Sequence, residues 1–204
     1  MTCLKKLFFP FLFTAFLMLT FTGCGVTKQA QQVSDLAGCD FRILSVENVN
    51  MDGVMIQNIK SVNDLNFSDV ARIMAGLASP VFPLSLQLNL EGHNPNKREA
   101  GLNRLEWILF IDDIQMTSGI LEKPFIIPSN GTTIIPVQIG LDLKQVLSGK
   151  SASAIMNFCM NLNGLGNVPT RFKIKVKPTL IVGGKPKTLP GFITVRTSYG
   201  SKEK

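Results

Sequence analysis

The sequence predicts a mainly β domain, an antiparallel β-sandwich carrying two short inserted helices. Three observations predict it. Leu84, Leu86, Leu88 and Leu90 alternate with Ser85, Gln87, Asn89 and Glu91, and a period of two places each set on one face of a pleated strand. Further alternating runs follow at short intervals, each bounded by turn residues such as Asp52-Gly53 and Asn130-Gly131, the spacing of sandwich strands. Only two stretches carry a helical period, so the helices are insertions or end-caps rather than βαβ crossovers.

A chain of 204 residues can bury the core of one domain. A hydrophobic content of 45% excludes a disordered chain. The formal charge of +7 is spread thinly, so nothing reads as a nucleic-acid platform.

The N-terminus is a targeting segment. Lys5-Lys6 is a basic n-region and Leu7 to Thr22 an apolar h-region, shorter than the about 20 residues of a comfortable membrane span. It ends in Phe21-Thr22-Gly23-Cys24. That ending resembles a bacterial lipoprotein signal. The resemblance implies cleavage before Cys24 and acylation of Cys24, an anchor of several chains in the lipid bilayer. An ordinary cleaved signal or an uncleaved anchor is the plainer alternative. Residues 1–23 are thus read as signal peptide and 24–38 as lipidated Cys24 plus a polar, Gln-rich flexible tether. Residues 39–198 are read as a single domain and 199–204 as a frayed tail.

Within the domain, Cys39 to Val49 reads as the first strand, with Asp52-Gly53 as a hairpin turn and Val54 to Ile59 returning. Val70, Ile73, Met74 and Leu77 recur at helical spacing on one face, so a short helix from Phe67, capped by Asn66 or Ser68 and stopped by Pro80, is expected to interrupt the strands. After the leucine strand, Asn94-Pro95-Asn96 breaks the ladder, because proline has no N–H to donate. Lys97 to Asn103 reads as a polar loop. Leu105, Trp107, Leu109 and Ile111 share one strand face, and Ile108 and Phe110 the other, which implies cover on both sides. Asp112-Asp113 is a tight turn, Phe125 to Ile127 a strand, and Thr133 to Leu141 an alternating strand whose Pro136 marks an edge or bulge. Ala152, Ile155, Met156 and Cys159 form a second helical stripe. Phe172, Ile174 and Val176 then alternate with Arg171, Lys173, Lys175 and Lys177, and Phe192 to Thr197 is the last strand.

The middle of the chain resembles the late embryogenesis abundant type 2 family, which includes the water-stress-and-hypersensitive-response domain. The resemblance rests on an ordered series: Leu86 to Leu90, Asn94-Pro95-Asn96, Leu105 to Ile111, Asp112-Asp113, Ser118-Gly119, Pro128 to Gly131 and Ile134 to Leu141. It implies a fibronectin-III- or immunoglobulin-like sandwich and no catalysis, in a family associated with desiccation and other stress. The inserted helices and the lipid signal depart from the compact plant pattern and resemble lipoprotein members from Bacteroidetes-type bacteria.

Candidate chemistry is sparse. His93 stands alone and reads as a strand-end surface residue. Asp112 and Asp113 could bind a cation with Glu91 or Asp142, but adjacent aspartates are common in turns. Ser118 beside Gly119 lacks a nucleophile-elbow pattern. No metal-ligand spacing, cofactor fingerprint or catalytic set is present, so no cofactor is expected. Cys39 and Cys159 are either a disulfide formed in an oxidising envelope or two small buried apolar residues. Arg171, Lys173, Lys175 and Lys177, joined by Lys185, Lys187 and Arg196, form a candidate anionic-surface patch or else a solvated strand face.

The expected protein is a non-enzymatic envelope lipoprotein, a structural or binding module. Gly25 after Cys24 points to the outer membrane, periplasmic side. The alternative is a carrier of an apolar ligand, held between the sheets beneath the helices.

Overall fold

The computed structural model describes residues 34–59, 64–146, 150–162, 164, 166–182 and 184–200. The expected signal peptide, Cys24, most of the tether and residues 201–204 lie outside these. Strands β1 (Asp40–Met51), β2 (Val54–Met55), β3 (Pro83–Asn94) and β8 (Gly131–Asp142) make one sheet in the order β2-β1-β3-β8. The second sheet runs β10-β9-β5-β6, from β5 (Arg104–Ile111), β6 (Ile114–Leu121), β9 (Thr170–Val182) and β10 (Lys185–Thr188), with β11 (Ile193–Tyr199) also on β9. Every pairing is antiparallel. Setting aside the short strands, β1-β3-β8 faces β6-β5-β9-β11, the strand order of a fibronectin-III sandwich.

The alternation read from the sequence sets the register. Leu84, Leu86, Leu88 and Leu90 stand opposite Leu141, Ile139, Val137 and Ile135 on the inner face of the first sheet. Leu105, Trp107, Leu109 and Ile111 pair with Pro178, Val176, Ile174 and Phe172 on the inner face of the second. These side chains join one continuous buried cluster. The inner faces of the two sheets therefore pack on one another through these side chains. Pro136 sits in β8, an edge strand, where a missing donor costs no ladder bond.

Two hairpins close with two-residue turns at positive φ: Asp52 (47°) with Gly53 (88°), and Asp112 (47°) with Asp113 (65°). Both positions left-handed is the pattern of a type I′ turn, whose twist suits paired strands. Asn48, also at positive φ (53°), sits in a bulge where the β1 register shifts between Glu47 and Asn50.

The Asn94-Pro95-Asn96 break is a buried hub. Asn94 is fully buried. Its Nδ2 donates to the carbonyls of Arg98 (2.7 Å) and Ile127 (3.1 Å), and its Oδ1 accepts from Asn96 N (3.0 Å) and Asn96 Nδ2 (2.9 Å). Asn96 Nδ2 also donates to the carbonyl of Asp35 at 2.8 Å. Asp35 lies in a helical turn at residues 34–37, where Leu36 is fully buried. The Arg98 guanidinium donates to both Asp35 carboxylate oxygens at 2.9 Å. The folded domain thus begins before the expected boundary at Cys39, since residues 34–38, read as tether, are stitched to this hub.

The remaining differences from the sequence reading are local. Ala100, Gly101 and Leu102, read as loop, form β4 (Ala100–Leu102) against β7 (Phe125–Ile127); three residues are too short to show a period. Helix α1 (Phe67–Ala78) is capped by Asn66 in a capping box with Asp69. Its apolar stripe is only partly inward: Ile73 packs against the core and Gly76 is buried, whereas Phe67, Val70, Met74 and Leu77 are exposed. A Cβ on Gly76 would stand 2.4 Å from Phe82, so the helix rests on its smallest side chain. After the turn α2 (Leu143–Val146) comes helix α3 (Lys150–Leu162), which buries Ala154, Ile155, Phe158 and Asn161 and exposes Met156. Phe158 decides that orientation by meeting Phe172 edge-to-face, ring centroids 5.1 Å apart.

Candidate functional site on the outer face of the second sheet

Alternation along β9 sends Phe172, Ile174 and Val176 inward and leaves Arg171, Lys173, Lys175 and Lys177 on the outer face. Across the ladder, Lys173, Lys175 and Lys177 stand opposite Phe110, Ile108 and Glu106 of β5. On the other side, Lys173 stands opposite Arg196 of β11. Successive stripe residues are about 6.6–6.8 Å apart, two strand residues.

The lysines are held rather than extended. Lys173 Nζ lies 4.5 Å and Lys175 Nζ 5.4 Å from the Phe110 ring centroid, and Lys177 Nζ lies 5.7 Å from that of Phe192. All three side chains are half-buried. The second cover expected over Ile108 and Phe110 is therefore not a protein layer: the lysine stems supply it while their ammonium groups stay wet.

The stripe divides into two halves. At one end the β5–β6 hairpin brings carboxylates to it. Asp113 Oδ1 takes Lys173 Nζ at 2.7 Å, and Asp113 Oδ2 takes Arg171 Nη1 at 3.3 Å. Asp112 Oδ1 accepts the Arg171 backbone N–H at 3.0 Å. The hydrogen bond and charge of Lys173 hold Asp113 below the usual carboxylate range. Lys175 and Lys177 have no carboxylate partner among the described residues: Glu106, opposite Lys177, instead accepts from Arg104 at 3.0 Å. Arg196 joins this face, whereas Lys185 and Lys187 pair with Val182 and Leu180 and so occupy ladder positions of the opposite face.

The other candidates separate. Asp112 and Asp113 form the hairpin turn, Glu91 pairs with Arg42 at 2.7 Å on the first sheet, and Asp142 accepts the backbone N–H groups of Phe82 and Lys144. These acids never converge, and no metal-binding cluster of His, Cys, Asp or Glu exists among the described residues. His93 is exposed at a strand end between Asp40 and Thr132. Ser118 is exposed opposite Ile108.

The disulfide alternative fails. Cys39 and Cys159 are both thiols. Cys39 adjoins the start of β1, its Sγ donating to the Asp35 carbonyl, whereas Cys159 rides on α3, which contacts the 3-10 turn Ile56–Asn58 beyond the other end of that strand. Twelve strand residues span roughly 40 Å, far beyond the under 7 Å between Cα atoms that a bridge demands. Burial pushes the Cys159 thiol up to about 11; burial, then the charges of Asp35 and Asp40, does the same for Cys39. Cys24 lies outside the described residues.

No curated protein matches the chain. Among solved structures it is similar to a protein from Archaeoglobus fulgidus, at 11% identity over 78% of this chain and 100% of that one, TM-score 0.35. A late embryogenesis abundant protein solved in solution aligns at 12% identity over 92% of this chain and 83% of that one, TM-score 0.38. A protein from Arabidopsis thaliana aligns at 11% identity over 59% of this chain and 73% of that one, TM-score 0.36. The model of the late embryogenesis abundant protein family matches residues 89–190, which reach from the middle of β3 to just past β10. That match takes in half of the chain, including the Asn94 hub, the Trp107 strand and the β9 stripe, and the chain belongs to the late embryogenesis abundant family, type 2.

Proposed function

We propose that the chain is a non-enzymatic lipoprotein of the cell envelope, anchored in the outer membrane through acylated Cys24 and facing the periplasm. Its sandwich acts as a structural or binding module in stress tolerance. Family membership supports a stress-related, non-catalytic module, and the Phe21-Thr22-Gly23-Cys24 ending supports the anchor. The observation that carries the binding role is the half-stripe Lys175 and Lys177, cations laid over aromatic rings without a carboxylate partner among the described residues. Such a row meets repeated phosphates by charge rather than by shape.

Two measurements test this reading. Mass spectrometry of the purified mature protein should find Cys24 at the N-terminus carrying acyl chains; an unmodified Cys24 removes the anchor. Binding to inorganic polyphosphate should weaken with rising salt and fall several-fold in a Lys175→Gln, Lys177→Gln variant. Unchanged binding returns the stripe to a solvated strand face.

A further inference from the structure

We propose that the pole of the sandwich at which the chain enters the domain is a bilayer-contact surface, taking anionic lipid headgroups around two exposed isoleucines. The orientation rests on the anchored reading above; the surface itself rests on separate residues.

Asp35 marks the entry point, held by Arg98 and by Asn96. Through Asn94 the same hub holds the carbonyls of Arg98 and Ile127, so the entry point adjoins the β4–β7 ribbon. That ribbon carries Ile126, 60% exposed, and Ile181 of β9 stands 48% exposed beside it. Both line one groove of about 250 Å³, with Leu102, Phe125 and Leu180. Branched apolar side chains left in water beside one another mark a contact surface more than a stability device.

Lysines lie at the same pole, on both faces of this edge of the sandwich. Lys123 Nζ lies 5.5 Å from the Phe125 ring centroid. Lys185 and Lys187 flank Pro186, the ladder partner of Ile181, in the exposed strand β10, and so stand on the opposite face of this edge from Ile181. Lys97 precedes Arg98. The carboxylates at this pole are Asp35, already taken by Arg98; Glu122, 3.7 Å from Arg104; Glu99 in the groove wall; and Asp40, exposed at the start of β1. Exposed apolar tips with lysines at the same pole suit the headgroup boundary of an anionic bilayer, where each chemistry finds its layer. This also gives Lys185 and Lys187 a role, although they do not share the face of the β9 stripe.

Chain length selects this pole. From Cys24 to the first described residue is at most about 35 Å of extended chain. The twelve residues of β3 run about 40 Å from this pole to the other, where Phe82 and α1 sit. An anchored domain can stand on its Ile126 pole with the tether slack, whereas a tether of about 35 Å does not let it stand upright on the α1 pole about 40 Å away.

The test uses the full mature chain with Cys24→Ala, so that no acyl chain contributes, sedimented with vesicles of phosphatidylglycerol and phosphatidylethanolamine or of phosphatidylcholine alone. Binding to the anionic vesicles is expected, with at least tenfold loss for Lys123→Gln, Lys185→Gln, Lys187→Gln together. A comparable loss is expected for Ile126→Ser with Ile181→Ser, and little change for Arg72→Gln on helix α1 at the opposite pole. All these positions are exposed or half-buried, and unchanged thermal melts confirm that each variant folds. No binding to anionic vesicles, or binding that survives unchanged in both the lysine and the isoleucine variants, overturns the proposal. The anchor reading falls separately, on an unacylated Cys24 in the unsubstituted protein.

Discussion

The indole of Trp107 occupies the space in which any side chain at Gly119 would begin. The two residues are direct partners across β5 and β6, and a Cβ on Gly119 would lie 2.4 Å from Trp107 Cζ2. This explains why a small residue follows Ser118 in the resemblance series. Gly119→Ala should destabilise the domain by about 1–3 kcal/mol, the usual cost of overpacking. Urea unfolding followed by Trp107 fluorescence measures it, since Trp107 is the only tryptophan. A loss near zero would mean that the indole moves freely aside.

Asn94 is expected to be the most sensitive polar residue. Asn94→Ala leaves two carbonyls and two donors of Asn96 without their partner in a buried site. The expected loss is about 2–4 kcal/mol. Asn94→Asp should also destabilise, because an ionised carboxylate cannot donate to the Arg98 and Ile127 carbonyls. Equilibrium denaturation of both variants checks this; a wild-type midpoint for Asn94→Asp would contradict the assigned amide orientation.

Helix α1 and helix α3 should answer truncation differently. Met74, 61% exposed, should change stability by less than about 0.5 kcal/mol on Met74→Ser. Phe158, fully buried against Phe172, should cost about 3–5 kcal/mol on Phe158→Ala. Thermal denaturation of the two variants side by side tests which face of each helix is inward.

Stability should fall at both ends of the pH range. Each thiol has a folded pKa of about 11, above its ordinary value of 9.0. The unfolded chain therefore loses these protons first, and their contribution, complete below pH 9, is lost between about pH 9 and 11. Asp113 and Asp142 sit below the ordinary 3.8, through Lys173 and through the Phe82 backbone N–H first. Their contribution is present above that value and disappears as pH falls below it. Denaturant midpoints across pH give the profile, and Cys39→Ala with Cys159→Ala should flatten its alkaline arm. Dithiothreitol should leave the neutral-pH midpoint unchanged.

Much of the sandwich was legible because one side chain in two had to be apolar. Leu84 to Leu90, Leu105 to Ile111 and Thr133 to Leu141 each set their own inner face, and strand pairing only had to align them. Asp52-Gly53 and Asp112-Asp113 announced their hairpins through residues that tolerate positive φ. The basic stripe was equally visible, since β9 alternates lysine with core residues.

What the sequence determined by itself is local: which residues share a strand face, where the chain turns, and that a late embryogenesis abundant sandwich results. Tertiary structure alone decided the rest. It left Val70, Met74 and Leu77 of α1 in solvent and seated the helix through Ile73 and Gly76, whose missing side chain allows a closer approach to Phe82 than any larger residue could. It assigned Asp112 and Asp113 to one half of the stripe, and put Lys185 and Lys187 on the opposite face. It folded residues 34–38 onto Asn96 and Arg98, some sixty positions away. Periodicity reports how a residue stands relative to its neighbours in the chain, whereas these outcomes depend on what arrives from distant strands, and no local pattern carries that information.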